Sequence, residues 1–249
     1  MPVIDLNCDL GEGFSADAAL MPLVSSVNIA CGGHAGDDET MRAAVALAKQ
    51  NGVNIGAHPG YEDRENFGRV FFNRPLTEVV DSIASQIRCL VDIAAEQGLR
   101  LTHVKPHGAL YHAAGSDALL ARRMCEVVRN IDPKLAIVCP AIGLLGEAAR
   151  QLKLRVIGEG FVDRRYRSDG TLVPRSHAAA TLHDPDEAAE QAIGIILNAR
   201  VTPIDGPPIR LEAQTLCVHG DGDQALATLT ALCERLRDRN ITVQPFGRD

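Results

Sequence analysis

Six short runs of branched apolar residues in this chain each stop abruptly in ionisable side chains and glycine. No other feature constrains the fold as much. Val3-Ile4-Asp5-Leu6-Asn7 runs into Cys8, Asp9, Gly11 and Glu12. Val27-Asn28-Ile29-Ala30-Cys31 runs into Gly32-Gly33-His34-Ala35-Gly36-Asp37, and Val53-Asn54-Ile55-Gly56-Ala57 into His58-Pro59-Gly60. Arg155-Val156-Ile157-Gly158 runs into Glu159, then Asp163-Arg164-Arg165-Tyr166, and Thr215-Leu216-Cys217-Val218 into His219-Gly220-Asp221. The sixth run, around Leu101 and Val104, is the richest. Side chains alternate between the two faces of a strand, so His103, Lys105 and His107 share one side. Burying such groups is costly unless they are paired, hydrated or used. Pro106 cannot donate a ladder hydrogen bond, so pairing should stop near it. Six strand ends of this kind predict one shared site on the C-terminal face of a barrel.

Helical patterns separate the strands. Val79, Val80, Ile83, Ile87, Leu90, Val91 and Ile93 form a stripe that starts after Pro75 and stops before Gly98. Asp184-Pro185-Asp186-Glu187 opens a helix to about 199 with a cap, a proline and first-turn acids. Leu226, Leu229, Leu232, Cys233 and Leu236 mark the last helix, which Asp223 would cap, and shorter patterns cover roughly 38–51, 116–130 and 142–152. Further strands are expected at about 135–139 and 241–244. Strict β, α alternation implies a parallel sheet. Seven or eight such strands favour a closed (β/α) barrel, and no Gly-x-Gly-x-x-Gly follows the first strand to suggest a dinucleotide fold. At 249 residues the chain suits one barrel domain over 1–249. The stretches 61–75 and 167–183 lack periodicity and are expected as loops over the site.

Composition removes several function classes. A formal charge of −7 without a Lys/Arg cluster on any predicted helix argues against nucleic acid. No apolar run approaches the about 18 residues of a membrane span. Asp5, Asp9 and Glu12 occupy the region where a signal peptide would be basic and then apolar. Seven cysteines, an odd number with no Cys-x-x-Cys, fit reduced thiols, so a soluble cytoplasmic protein is expected.

Each candidate residue has a plain structural alternative. Asp9 and Glu12 around Gly11 could bind a metal or divide into acid and base, or they could be turn formers. His34 follows glycines that let backbone approach a ligand, while Asp37 is equally a helix N-cap. His58, Lys105 and His107 are the strongest candidates, and His103 lies deeper in its strand. A buried Lys105 calls for an Asp or Glu beside it. Glu159, Asp163 and Arg164 suggest a substrate clamp, with one of the adjacent arginines 164 and 165 turned to the surface. His219 and Asp221 repeat the His-Gly-acid theme. Cys31 fits an inert buried thiol better than a nucleophile. Metal binding stays open, since neither His-Glu-x-x-His nor paired cysteines occur. No Gly-x-x-x-x-Gly-Lys-Ser/Thr occurs, so any ATP chemistry must use another mode or another chain.

Taken together, these stretches resemble the LamB/YcsF family. The resemblance is carried by Asp5 to Glu12, Asn28 to Asp37, Gly56-Ala57-His58-Pro59, Phe67-Gly68-Arg69, Val104 to Tyr111, Glu159-Gly160-Phe161 with Asp163-Arg164-Arg165-Tyr166, Leu172-Val173-Pro174-Arg175, and Cys217 to Asp221. These run in family order over nearly the whole chain. His112 departs from an expected asparagine, and Gly60 and Glu62 from frequent serine and proline. The resemblance implies a barrel like those of glycoside hydrolases and deacetylases. It also implies the role of the A subunit in an ATP-dependent 5-oxoprolinase. That enzyme cleaves 5-oxo-L-proline to L-glutamate with ATP, as the magnesium complex, and with partner subunits B and C.

Residue roles rest on the strand ends instead. The expected catalytic set is Asp9, Glu12, His58, Lys105 and His107, with His58 or His107 as base, Asp9 orienting it, and Lys105 and Arg69 holding anionic charge. The expected substrate set is His34, Asp37, Arg69, Glu159, Asp163, Arg164, His219 and Asp221. Two other functions compete: a metal-dependent deacetylase of an N-acetylated sugar, and a non-catalytic binding or regulatory subunit. Zero Trp and three Tyr leave few stacking platforms for a polysaccharide.

Overall fold

The computed structural model describes residues 1–71, 73–219 and 224–247. Strands β1 (Val3–Leu10), β2 (Ser26–Ala30), β3 (Asn54–His58), β4 (His103–Val104), β5 (Ala136–Pro140) and β6 (Val156–Phe161) pair in chain order, each parallel to the last. A small antiparallel pair, β7 (Arg200–Val201) and β8 (Ile209–Arg210), stands apart. Strand β9 (Thr215–Val218) then pairs with both β6 and β1, closing a seven-stranded parallel barrel. Strand β10 (Thr242–Val243) pairs with the start of β1.

The helices surround the ring as the alternation predicts. A short helix α1 (Asp17–Leu20) precedes β2, and α2 (Asp38–Asn51) and α3 (Leu76–Glu96) follow β2 and β3. After β4 come α4 (Gly108–Ser116) and α5 (Ala118–Ile131), followed by α6 (Leu144–Gln151), α7 (Pro185–Asn198) and α8 (Ala225–Asp238). Local chemistry sets their ends. Asp37 and Thr40 form a reciprocal capping box at the start of α2, and Asp184 accepts from the Asp186 amide ahead of α7. The cap expected at Asp223 lies outside the described residues. Among the described residues, no helix is long and apolar enough to cross a membrane.

Pairing stops just before Pro106, as expected: the ladder contains only His103 and Val104, and a helix that the sequence did not show begins at Gly108. The strand-like backbone nevertheless continues past the ladder. The Lys105 amide donates to the Ala57 carbonyl at 2.9 Å and the His107 amide to the Pro59 carbonyl at 2.8 Å. Alternation therefore survives, and His103, Lys105 and His107 all engage partners inside the barrel or at its mouth.

The barrel has two differently built compartments. Ile4, Leu6, Cys8 and Leu10 of β1 join the large apolar cluster that also holds residues of the surrounding helices, such as Val45, Ile87 and Leu229. Between them, Asp5, Asn7 and Asp9 reach polar partners on β2, β6 and β9 and Lys105 just past β4. Interior space is tight: a Cβ on Gly56 of β3 would stand 2.2 Å from Nε2 of His103. Glycine there lets the His103 ring cross to Asn28, whose Oδ1 accepts from Nε2 at 2.8 Å. A small apolar group, Ala136, Val138 and Ile157 with Phe246 packed against it, forms a separate cluster.

Candidate active site

A cavity of about 440 Å³ opens at the C-terminal ends of the strands, with Asp9, His58, Lys105, His107, Phe161 and His219 among its walls. Both expected loops help to form it, through Arg69 from the first and Leu172 to Ser176 from the second.

Its floor is a buried charge cluster. Lys105 Nζ lies 2.9 Å from Asp9 Oδ1 and 2.9 Å from Glu159 Oε1, which are the carboxylates its burial calls for. Asn28 donates from Nδ2 to both Asp9 Oδ1 (2.8 Å) and Asn7 Oδ1 (2.7 Å), and Asn7 donates to Glu159 Oε1 at 3.0 Å. Burial opposes the charges on Asp9 and Lys105, but their partners outweigh it. The Asp9 carboxyl is held well below the usual range by His58 and Lys105, and the Lys105 ammonium well above its own by Asp9, Cys217 and Glu159. A cation therefore persists at the base of the cavity.

Beside it stands an imidazole group. His58 Nε2 is 3.4 Å from Asp9 Oδ2, 3.8 Å from Glu12 Oε1 and 3.0 Å from His107 Nδ1. His34 Nε2 lies 3.0 Å from Glu12 Oε1, and the His34 and His107 rings stack with centroids 3.6 Å apart. Burial, then the charge of His58, pushes His34 down to about 2 and His107 well below its ordinary value, so both rings are neutral at pH 7. The loop residue Phe67 has φ 54, a strained conformation for a non-glycine residue, and its carbonyl lies 2.9 Å from His107 Nε2.

The substrate set divides. Glu159 belongs to the buried charge cluster beneath the cavity, paired with Lys105, and does not line the cavity itself. Asp163 holds His219 at 2.9 Å, and the His219 ring stacks on Phe161. Arg69 lies at the rim, over the Phe67 ring at 4.8 Å. Arg164 is on the cavity wall but buried, and its guanidinium donates to the Val173 carbonyl at 2.6 Å and the Ala180 carbonyl at 3.2 Å. It thus holds the 167–183 loop in place. Arg165 is the outward arginine of the pair, bonded to Glu187. Asp37 is exposed at the α2 cap and does not line the cavity, so the capping alternative describes it better. Asp221 lies outside the described residues. Cys31 is buried and its thiol pushed up to about 12 by burial, which suits an inert thiol.

Sequence reasoning missed Asn7 and Asn28, which link Asp9, Glu159 and His103, and Arg175 on the cavity wall. Asn7 and Asn28 sit on the same strand faces as Asp5, Asp9 and Ala30, a period-2 signal that could have found them. Two groups could hold a cation among the described residues: Glu12, His34, His58 and His107, and Asp9, Cys217 and His219. In each, the donor atoms lie within 4.8 Å of one another.

The model of the LamB/YcsF family matches residues 4–249. A 5-oxoprolinase A subunit from Nitrobacter winogradskyi is 45% identical over 254 residues, covering 98% of this chain and 98% of the relative. The crystal structure of a lactam utilization protein from Thermus thermophilus superposes with a TM-score of 0.91 at 39% identity, covering 98% of this chain and 99% of that one. A substrate-bound T48 deacetylase shares the fold alone, with a TM-score of 0.51 and 12% identity over 97% of this chain and 87% of the other.

Proposed function

The chain belongs to the LamB/YcsF family, and from that premise we propose that it is the A subunit of an ATP-dependent 5-oxoprolinase, opening 5-oxo-L-proline to L-glutamate with subunits B and C. The observation that carries the reading is Lys105, charged and clamped between Asp9 and Glu159 on the floor of the cavity. A five-membered lactam is a resonance-stabilised amide whose reclosure is favoured by proximity, so opening it needs external driving force. Transfer of the γ-phosphoryl group of ATP, as its magnesium complex, to the amide oxygen makes the ring carbon electrophilic. ADP leaves and water adds to that carbon. The C–N bond then breaks, with a proton passing to the ring nitrogen, to give γ-glutamyl phosphate. A second water hydrolyses this acyl phosphate to glutamate and phosphate.

In this scheme the Lys105 ammonium stabilises negative charge that develops at the reacting centre. The proton acceptor for water comes from the Asp9–His58 pair, which faces the cavity. Arg69 and Arg175 on the cavity wall suit the substrate carboxylate or a phosphate. With no phosphate-binding Gly-Lys-Ser/Thr loop in this sequence, nucleotide binding falls to a partner subunit or to a surface shared with one. The deacetylase alternative rests on fold alone, at 12% identity.

Reconstitution tests the proposal. The isolated chain is expected to release little or no glutamate from 5-oxo-L-proline, and adding subunits B and C with ATP should restore release. Full turnover by the chain alone would contradict the division of labour, and no turnover by the assembled complex would contradict the function.

A further inference from the structure

Opening a lactam takes two proton transfers on two sides of one carbon. The attacking water must lose a proton, and the departing nitrogen, a poor leaving group, must gain one as its bond to carbon breaks. The Asp9–His58 pair can serve the water. A second carboxylate–imidazole pair, Asp163 and His219, stands across the cavity mouth.

Topology sets the two pairs apart. His219 follows β9, which is separated from β3 by β1 and β2 on one side and by β4, β5 and β6 on the other. No two strands of a seven-membered ring lie farther apart, so His58 and His219 occupy opposite walls of the cavity that both line. Asp9 lies between them. Its Oδ2 is 3.4 Å from His58 Nε2, and a ring nitrogen of His219 lies within 4.8 Å of its carboxylate.

Asp163 decides which nitrogen of His219 exchanges protons. Its Oδ1 lies 2.9 Å and its Oδ2 3.0 Å from Nδ1, and Oδ2 also accepts from the His219 backbone amide at 3.3 Å. Burial works against this carboxylate, but His219, and after it Arg164, hold it below the usual range, so it is ionised and can only accept. The hydrogen on Nδ1 is therefore committed to Asp163 in the neutral ring and the imidazolium alike, and exchange is confined to Nε2. Nε2 makes no hydrogen bond among the described residues. Phe161, stacked at 5.5 Å and 16°, sets the plane of the ring. The His219 and Asp163 side chains keep 15% and 14% exposure, so a ligand in the cavity can reach the pair.

The other groups facing His219 leave this role to it. Asp9 and Cys217 would complete a donor group for a cation, but Lys105 Nζ already lies 2.9 Å from Asp9 Oδ1 and 3.1 Å from Cys217 Sγ. A metal ion there would face that ammonium. Burial keeps Cys217 a thiol, and burial, then Arg164 and Arg175, keep His112 neutral at pH 7.

Resting on the lactam reading, we propose that His219 is the catalytic acid of ring opening and Asp163 its positioning residue. As the C–N bond breaks, its electron pair stays on the nitrogen, which takes the proton from His219 Nε2. The Nε2 lone pair then takes a proton back from solvent in the cavity. The proton lost by the attacking water passes to the Asp9–His58 pair and from there to solvent, so both pairs end as they began.

His219→Gln in the three-subunit complex should lower kcat and kcat/KM for glutamate release together by about 10²–10⁴-fold, with KM little changed. With 15N in the lactam ring, the isotope effect on kcat/KM should rise in this variant, because C–N cleavage then limits the rate. Asp163→Asn, nearly isosteric, should show the same pattern with a smaller loss. In the isolated full-length chain, nitrogen NMR should place the hydrogen of the neutral His219 ring on Nδ1, and Asp163→Asn should mix the two tautomers. Thermal unfolding controls for folding. The proposal is overturned by wild-type kcat in a folded His219→Gln complex, or by a KM that rises with kcat spared, which would make His219 a contact that merely holds substrate. A 15N effect unchanged in His219→Gln, or a hydrogen on Nε2 in the neutral ring, overturns it equally. A wild-type complex that releases no glutamate would remove the lactam reading and this assignment with it, whereas each of the other outcomes leaves wild-type release intact.

Discussion

Strand β1 presents two faces that are equally buried and chemically opposite. Ile4, Leu6, Cys8 and Leu10 are no more than 3% exposed, and Asp5, Asn7 and Asp9 no more than 6%. The first face packs into the apolar mantle under the helices, where burial is non-directional and each side chain contributes nearly independently. The second enters a barrel interior that is polar where branched aliphatic layers are usual. Every group there needs a named partner, because an unpaired one carries its whole desolvation cost. The mantle holds the fold together, and the interior stores charge where it can act on a ligand.

The sharpest way to break this comparison is to remove one member of the interior. Lys105→Met leaves Asp9 and Glu159 facing each other in burial and should cost about 3–5 kcal/mol of stability in addition to abolishing turnover. Adding Asp9→Asn and Glu159→Gln to it should recover much of that stability, because the stranded charges go too. Leu6→Ala on the mantle face should cost about 2–5 kcal/mol with no such rescue, and the folded fraction should keep its chemistry. Urea unfolding of the single and triple variants reads both; additive losses in the interior would erase the distinction.

A pH series gives a smaller effect of the same origin. Burial, then the charge of Lys105, pushes His103 down to about 3, so the folded state keeps it neutral while the unfolded chain takes up a proton below about 6.5. Its contribution is present above that value and should be lost at about 1.4 kcal/mol per unit as pH falls toward 3. The unfolding midpoint of His103→Gln should decline less steeply with acid than that of the wild type. The smallest expected effect lies outside both compartments: Asp37→Ala removes the α2 cap and should cost about 1 kcal/mol while leaving turnover intact.

The fold was largely legible because parallel strands and their helices leave local marks: apolar runs, caps and terminal glycines. Helix α4 escaped because it follows Lys105-Pro106-His107 directly, and its small buried face of Leu110, Tyr111 and Ala114 resembles a continuing strand. The pair β7–β8 escaped because strands of two residues carry no periodicity. For the site, strand-end position identified Asp9, His58, Lys105, His107 and Glu159, since closing the barrel brings those ends together. Partner choice was not legible. Nothing local distinguishes Arg164, committed to two carbonyls, from an arginine free for substrate, or shows that Asn28 joins Asp9 to His103. Such pairings link residues 9 to 75 positions apart and exist only after folding.

Asp9→Asn in the reconstituted three-subunit enzyme tests most directly the claim that the polar interior is the reacting centre. Asparagine keeps the shape and the hydrogen bond from Lys105, and Glu159 remains to pair the ammonium, so circular dichroism and thermal unfolding should show a folded barrel. The account predicts that kcat for glutamate release falls by about 10²–10⁴-fold. Wild-type turnover in a folded Asp9→Asn enzyme would contradict it.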